Sequence, residues 1–298
     1  MPFKDITYGD LLEKVYEVER WLNKIKIPRL DETRFPEIIK NLETLNVEYK
    51  KHLHGQPNNL LDLGLNISSA TVEAISLNTI REGFSKLNQH HLPKRKIRDS
   101  LLGTFSSSDE TGENQPRNKL FELELASYLI LREINVTGFE DIEFKVDNYG
   151  VTVECKRPTS EDTLVANLFE AIDQLYKSPK KIADDFYQYG FVALSLEKVL
   201  NLDQMRFFKN KDELVQFLFS MHDYIMNILS PVWRTIRSQK IFGLILTFKT
   251  TAVFTDINQL QGINTSFVHV GTTVFNTPTR YLCGFLKTKL NNFTLDEQ

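Results

Sequence analysis

The stretch Asp141-Ile142-Glu143-Phe144-Lys145-Val146-Asp147-Asn148-Tyr149-Gly150-Val151-Thr152-Val153-Glu154-Cys155-Lys156 decides the reading of this chain. From Asp141 to Val146 polar and apolar residues alternate, the period of a half-buried strand. Asp147 to Gly150 is turn chemistry, and Val151-Thr152-Val153 restarts the alternation, so the segment predicts a β-hairpin. Side chains two apart on a strand share a face. Glu154 and Lys156 therefore point together, and Cys155 points away. Asp141 sits at the far end of the partner strand, where a splayed hairpin brings its carboxylate towards Glu154. Two carboxylates and an ammonium on one face are costly in a purely structural sheet. They suit a divalent-metal phosphodiester site. Hard Mg²⁺ takes carboxylate oxygens and waters, while a lysine orients an attacking water or stabilises charge at phosphorus.

The surroundings of the hairpin extend this reading. A helix over Arg117 to Glu133 contains Phe121-Glu122-Leu123-Glu124-Leu125-Ala126. After Glu154-Cys155-Lys156-Arg157-Pro158, a helix over Asp162 to Tyr176 contains Ala171-Ile172-Asp173-Gln174-Leu175-Tyr176, and Gly190 to Leu196 reads as a buried strand. On these residues, Arg117 to Leu196 resembles the PD-(D/E)xK nuclease superfamily, whose fold is restriction-endonuclease-like. The Phe121-Glu122 helix is similar to that of Mrr-like restriction enzymes, and the Gln174 to Tyr176 element to that of RecB-type members. Glu140, where proline often stands, is a departure.

The resemblance implies a mixed α/β (α+β) fold with an αβββαβ core, a Mg²⁺ or Mn²⁺ cofactor, and a DNA endonuclease of restriction or phage-defence type. DNA ranks ahead of RNA as partner, and a homodimer is compatible with it. Asp141, Glu154 and Glu122 (or Glu124) would be the metal ligands, and Lys156 would act on the attacking water. Residues two apart on a helix face different ways, so only one of Glu122 and Glu124 is expected at the metal, Glu122 being favoured. Asp147 rivals Asp141 but is assigned to the turn; Glu143 shares the face of Asp141. Gln174 and Arg157 are candidate substrate contacts, as are Lys94, Arg95 and Lys96 in the run Lys94-Arg95-Lys96-Ile97-Arg98. Lys177, Lys180 and Lys181 form a second basic group.

Composition narrows the alternatives. The chain has 298 residues, 41% hydrophobic and 25% charged, as globular proteins have, and its length admits two domains. A net charge of −3 means that any DNA-binding surface is local. The two cysteines, Cys155 and Cys283, have no paired spacing, which argues against a zinc ribbon or disulfide scaffold and for a reducing, cytoplasmic setting. The six histidines form no convincing metal set. The start lacks a signal-peptide core, and apolar runs such as Ile241 to Leu246 are too short to cross a bilayer. Neither G-x-x-x-x-G-K-[ST] nor G-x-S-x-G occurs.

Helical spacing predicts a helical N-terminal region over 1–104: a first helix from Leu11 to Ile25, a second from Pro36 to Lys51, and a third from Ser68 to Leu87 with Ser68 or Ser69 as N-cap. The polar stretch Thr104 to Pro116 marks a connector, 105–116, before a core with C-terminal extension over 117–298. Lys180 to Tyr189 and Lys211 to Arg237 are expected to be helical, the latter interrupted at Ser230-Pro231. Ile241 to Phe248 and Ser266 to Phe275 are expected strands that extend the sheet or cap it. The rival to a nuclease is a non-catalytic copy of the fold that binds nucleic acid or protein. A Mn²⁺ signal in calorimetry that vanishes in Asp141→Ala is expected of the nuclease; a binding module would give none.

Overall fold

Apolar residues at spacings of three and four wind the first half of the chain into helices. The computed structural model describes residues 8–54, 56–57, 64–104, 115–177, 187–202, 205–236, 241–256, 259–270 and 277–290. In α1 (Tyr8–Lys24) the buried stripe is Leu11, Val15, Val18 and Leu22; in α2 (Phe35–Leu53) it is Phe35, Ile38, Leu42 and Leu45. Helix α3 (Gly64–Phe84) starts ahead of Ser68, so the expected N-cap serine is instead a buried residue inside the helix. The short α4 (Lys94–Ser100) leads towards α5 (Gln115–Leu131). Residues 105–114 of the expected connector lie outside the described residues, and Gln115 and Pro116 belong to α5.

The hairpin forms as expected. Strands β2 (Ile142–Val146) and β3 (Tyr149–Lys156) pair antiparallel, with Val146 opposite Tyr149. The turn is therefore only Asp147-Asn148, and Asp147 takes φ 50°, a left-handed conformation that aspartate tolerates better than most residues. Strand β1 (Asn135–Gly138) adds to β2. After α6 (Glu161–Lys177), β4 (Tyr187–Ser195) joins β3 in parallel. This corrects the expected helix at its end: Tyr187 to Tyr189 are strand, and residues 178–186 lie outside the described residues. The elements from α5 to β4 thus follow as helix, three strands, helix and strand.

The C-terminal part extends the same sheet. Strand β6 (Ile241–Phe254) runs parallel to β4 along its first half and to β5 (Met205–Phe208) along its second. Strand β7 (Gln259–Val270) pairs antiparallel on its far side; residues 271–275 of the expected last strand lie outside the described residues. Helix α7 (Lys211–Trp233) keeps Pro231 within its last turn, and α8 (Thr277–Leu290) was not foreseen from the sequence. The described residues make a mixed α/β fold of eight α-helices and one seven-stranded sheet.

Alternation along the strands builds a core on each face. Val151, Val153, Phe191, Ala193 and Ile245 pack with α1 to α5 and α8. Val192, Leu194, Leu244 and Leu246 pack with α6 and α7. A Cβ at Gly83 would stand 2.7 Å from Ser127, so the absence of a side chain there lets α3 approach α5. Helix α5, buried on nearly every side between α3, α4 and the sheet, belongs to one apolar cluster with α1 to α4. A buried ion pair crosses the same boundary, Arg117 meeting Glu73 at 2.8 Å, and Arg34 holds Glu73 at 2.7 Å from within the N-terminal region. Cutting the chain at a protease site engineered within 105–114 should therefore leave both pieces in one peak on native size exclusion. Separate peaks would show that the two parts do not share a core.

Candidate functional site

At the end of the hairpin, the antiparallel register sets Ile142 opposite Val153. Asp141 lies in the turn just before β2, one step beyond that pair. Cys155 packs with the core on the α5 side, whereas Lys156 reaches α6 on the other. The Lys156 ammonium is 3.8 Å from Glu154 and donates to Glu170 Oε1 at 2.6 Å. Gln174, one helical turn on, donates to the same oxygen at 3.2 Å. Glu170 is thus the shared partner of two predicted site residues. Its only sequence signal is a carboxylate one turn before Gln174.

Glu122 approaches the hairpin end from α5. Its carboxylate pairs with the Lys96 ammonium, which also donates to the backbone carbonyls of Phe139 and Glu140, the latter at 2.6 Å. Burial pushes the Glu122 carboxyl above the ordinary glutamate range; Lys96 opposes that rise, and the negative charge of Asp141 adds to it. The Cys155 thiol is held well above its usual range by burial, then by Glu122 and Glu154. A thiol so raised is neither a ready nucleophile nor a ready metal ligand.

Four carboxylates, Glu122, Asp141, Glu154 and Glu170, therefore stand along this end of the hairpin with two ammonium groups, Lys96 and Lys156. Among the described residues, no three His, Cys, Asp or Glu side chains are gathered closely enough to hold a metal ion by themselves. Mg²⁺ does not require such a cage. It is commonly held by one or two carboxylates, with waters and substrate phosphates completing its shell. The excess of carboxylates fits a hard cation of that kind.

Glu124, the alternative to Glu122, faces elsewhere. It is buried and accepts from Lys249 of β6 at 2.9 Å. Lys249 also lies 3.2 Å from Ser76 Oγ and 3.8 Å from Glu197. Arg117, Arg157 and Glu73 line the same small internal cavity, so Arg157 is enclosed rather than offered to a phosphate. Burial raises the Glu197 carboxyl, but Lys249 and then Arg157 outweigh it and hold the pKa low. Burial likewise lowers the Lys249 ammonium, yet Glu124 and Glu197 leave it raised. The sequence analysis missed this cluster. Its signal was a lone lysine inside the otherwise uncharged strand Ile241 to Phe254.

The remaining candidates scatter. Asp147 stays in the turn and accepts from the Tyr281 hydroxyl at 2.5 Å. Arg95 is exposed and Lys94 half-buried, but Lys96 is only 7% exposed, which corrects its place among the expected DNA contacts. Lys180 and Lys181 lie outside the described residues. Comparison of the chain with family models, with curated proteins and with solved structures returns no match.

Lys249→Met should destabilise the protein by about 3–5 kcal/mol, because Glu124 and Glu197 then stay buried without the ammonium that they share. Adding Glu124→Gln should restore part of that loss in urea titrations at neutral pH. The lowered Glu197 makes a contribution that is present above the ordinary glutamate range and lost as pH falls through its depressed folded value. The raised Lys249 makes one that is present below the ordinary lysine range and lost in strong base. Glu197→Gln should accordingly flatten the acid limb of the stability curve. An unchanged acid limb would show that Glu197 does not carry it.

Proposed function

We propose that this chain is a metal-dependent phosphodiesterase, a DNA endonuclease built on a restriction-endonuclease-like core. One observation carries the proposal: Glu154 and Lys156 share a face at the end of β3 with 3.8 Å between them, and Asp141 directly precedes β2, whose first residue Ile142 pairs with Val153. The succession of α5, β1, β2, β3, α6 and β4 supports it, as does the resemblance of Glu154-Cys155-Lys156 to the superfamily motif. A role in restriction or phage defence rests on the resemblance alone.

In this proposal Asp141 and Glu154 hold a Mg²⁺ or Mn²⁺ ion. That ion, when bound, supplies Lewis acidity towards the phosphoryl oxygens and makes water a better nucleophile. Lys156 orients the attacking water and offers N–H donors to the charge that develops at phosphorus. Glu170 holds the ammonium from the α6 side and keeps it beside Glu154 rather than collapsed onto it. Gln174 steadies Glu170 in turn. Exposed Arg95, in a loose 4.0 Å pair with Asp99, is the member of the basic run that would meet a phosphate backbone.

Purified protein incubated with plasmid, single-stranded DNA and RNA should cleave DNA with Mg²⁺ or Mn²⁺ and stop with EDTA. Lys156→Ala should lower the rate by about a hundred- to a thousand-fold while substrate binding is largely kept. Asp141→Asn should be inactive, and Asp147→Asn should remain active. A folded Lys156→Ala protein that cleaves at the native rate would remove this mechanism. Metal-independent binding without cleavage would favour the non-catalytic module.

A further inference from the structure

The Lys96 ammonium sits inside a cradle of three oxygens: the Glu122 carboxylate and the carbonyls of Phe139 and Glu140. The two carbonyls belong to the residues immediately before Asp141. Lysine usually keeps its ammonium in water, yet this residue is 7% exposed. A carboxylate combined with backbone carbonyls is the donor set that a hard cation takes. Here the cation is covalently part of the chain. It lies on the α5 side of the sheet, while Glu154 and Lys156 belong to the α6 side.

We infer that Lys96 is a built-in cation at the Glu122 corner of the site, so that the site takes up one divalent ion, on Asp141 and Glu154, rather than two. Lys96 is then a positioning residue. It fixes α5 to the segment carrying Asp141 and cancels the charge of Glu122. Two-ion sites place their metals about 3.5–4 Å apart between shared ligands, and a second ion drawn to Glu122 would press against the ammonium already there. Glu122 acts in this scheme as the counter-ion of Lys96 and not as a metal ligand. The inference rests on the phosphodiesterase reading above.

Mn²⁺ titration of the full chain by calorimetry, with free Mn²⁺ counted by electron paramagnetic resonance, tests it. The wild type should bind one ion. Asp141→Asn should bind none, whereas Glu122→Gln should still bind one, weakened by less than about a hundredfold as for loss of a neighbour outside the coordination shell. Lys96→Met should expose the carboxylate and carbonyls and raise the count to two; Lys96→Arg should keep it at one. If Lys96→Met fails to fold, the comparison of Glu122→Gln with Asp141→Asn still decides. Two ions in the wild type, or a Glu122→Gln protein that binds none, would overturn the inference and leave the phosphodiesterase reading standing. No binding by the wild type would overturn both.

Discussion

Helix α5 has almost no face turned to water, and that constraint organises the rest of the molecule. A charge on such a helix must meet an opposite charge inside the protein, because an unpaired buried ion is far too unfavourable. Arg117 meets Glu73 of α3, Lys119 meets Asp99 of α4, Glu122 meets Lys96 of α4, and Glu124 meets Lys249 of β6. Each pair fixes one neighbour of α5 in both distance and rotation. Apolar packing alone is less directional, since it rewards area rather than orientation.

The same pairs give the candidate site its two-sided character. Residues 122 and 124 leave α5 in different directions, and each finds a lysine supplied by another part of the chain. Glu122 is carried to the hairpin end, and Glu124 is drawn into the cluster that Lys249 forms with Arg157 and Glu197, just past the C-terminal ends of β3 and β4. On the opposite side of the sheet, Lys156 is steadied by Glu170 of α6. The hairpin end is thus held by both helical layers, which keeps its charged side chains in register.

Local features were legible in the sequence, and distant partnerships were not. The period-two pattern of Asp141 to Val146 and the polar turn carried enough information for β2 and β3, because strand alternation and turn chemistry act between near neighbours. Helix α6 and strand β4 were likewise readable, although the true start of β4 at Tyr187 was hidden behind a run that reads equally well as helix. The basic run at Lys94 to Arg98 shows the limit. Nothing in that string distinguishes Lys96, which is buried, from Arg95, which is exposed, because the distinction depends on Glu122 and the carbonyls of Phe139 and Glu140. Lys249 was overlooked for the same reason, its partner Glu124 standing 125 positions away in the chain.

That separation also bears on how the protein is made. During synthesis from the N-terminus, Glu124 emerges well before the strand that neutralises it, and Ser76, which meets the same lysine, is 173 positions ahead of Lys249. The β2–β3 and β6–β7 hairpins need only nearby residues and can form early. The parallel junctions of β4 with β3 and β6 must wait for distant chain, and contacts of such long sequence separation slow folding. Until β6 arrives, the Glu124 carboxylate of α5 lacks the Lys249 ammonium, and the nascent chain is left with a helix that belongs inside a protein not yet there to receive it.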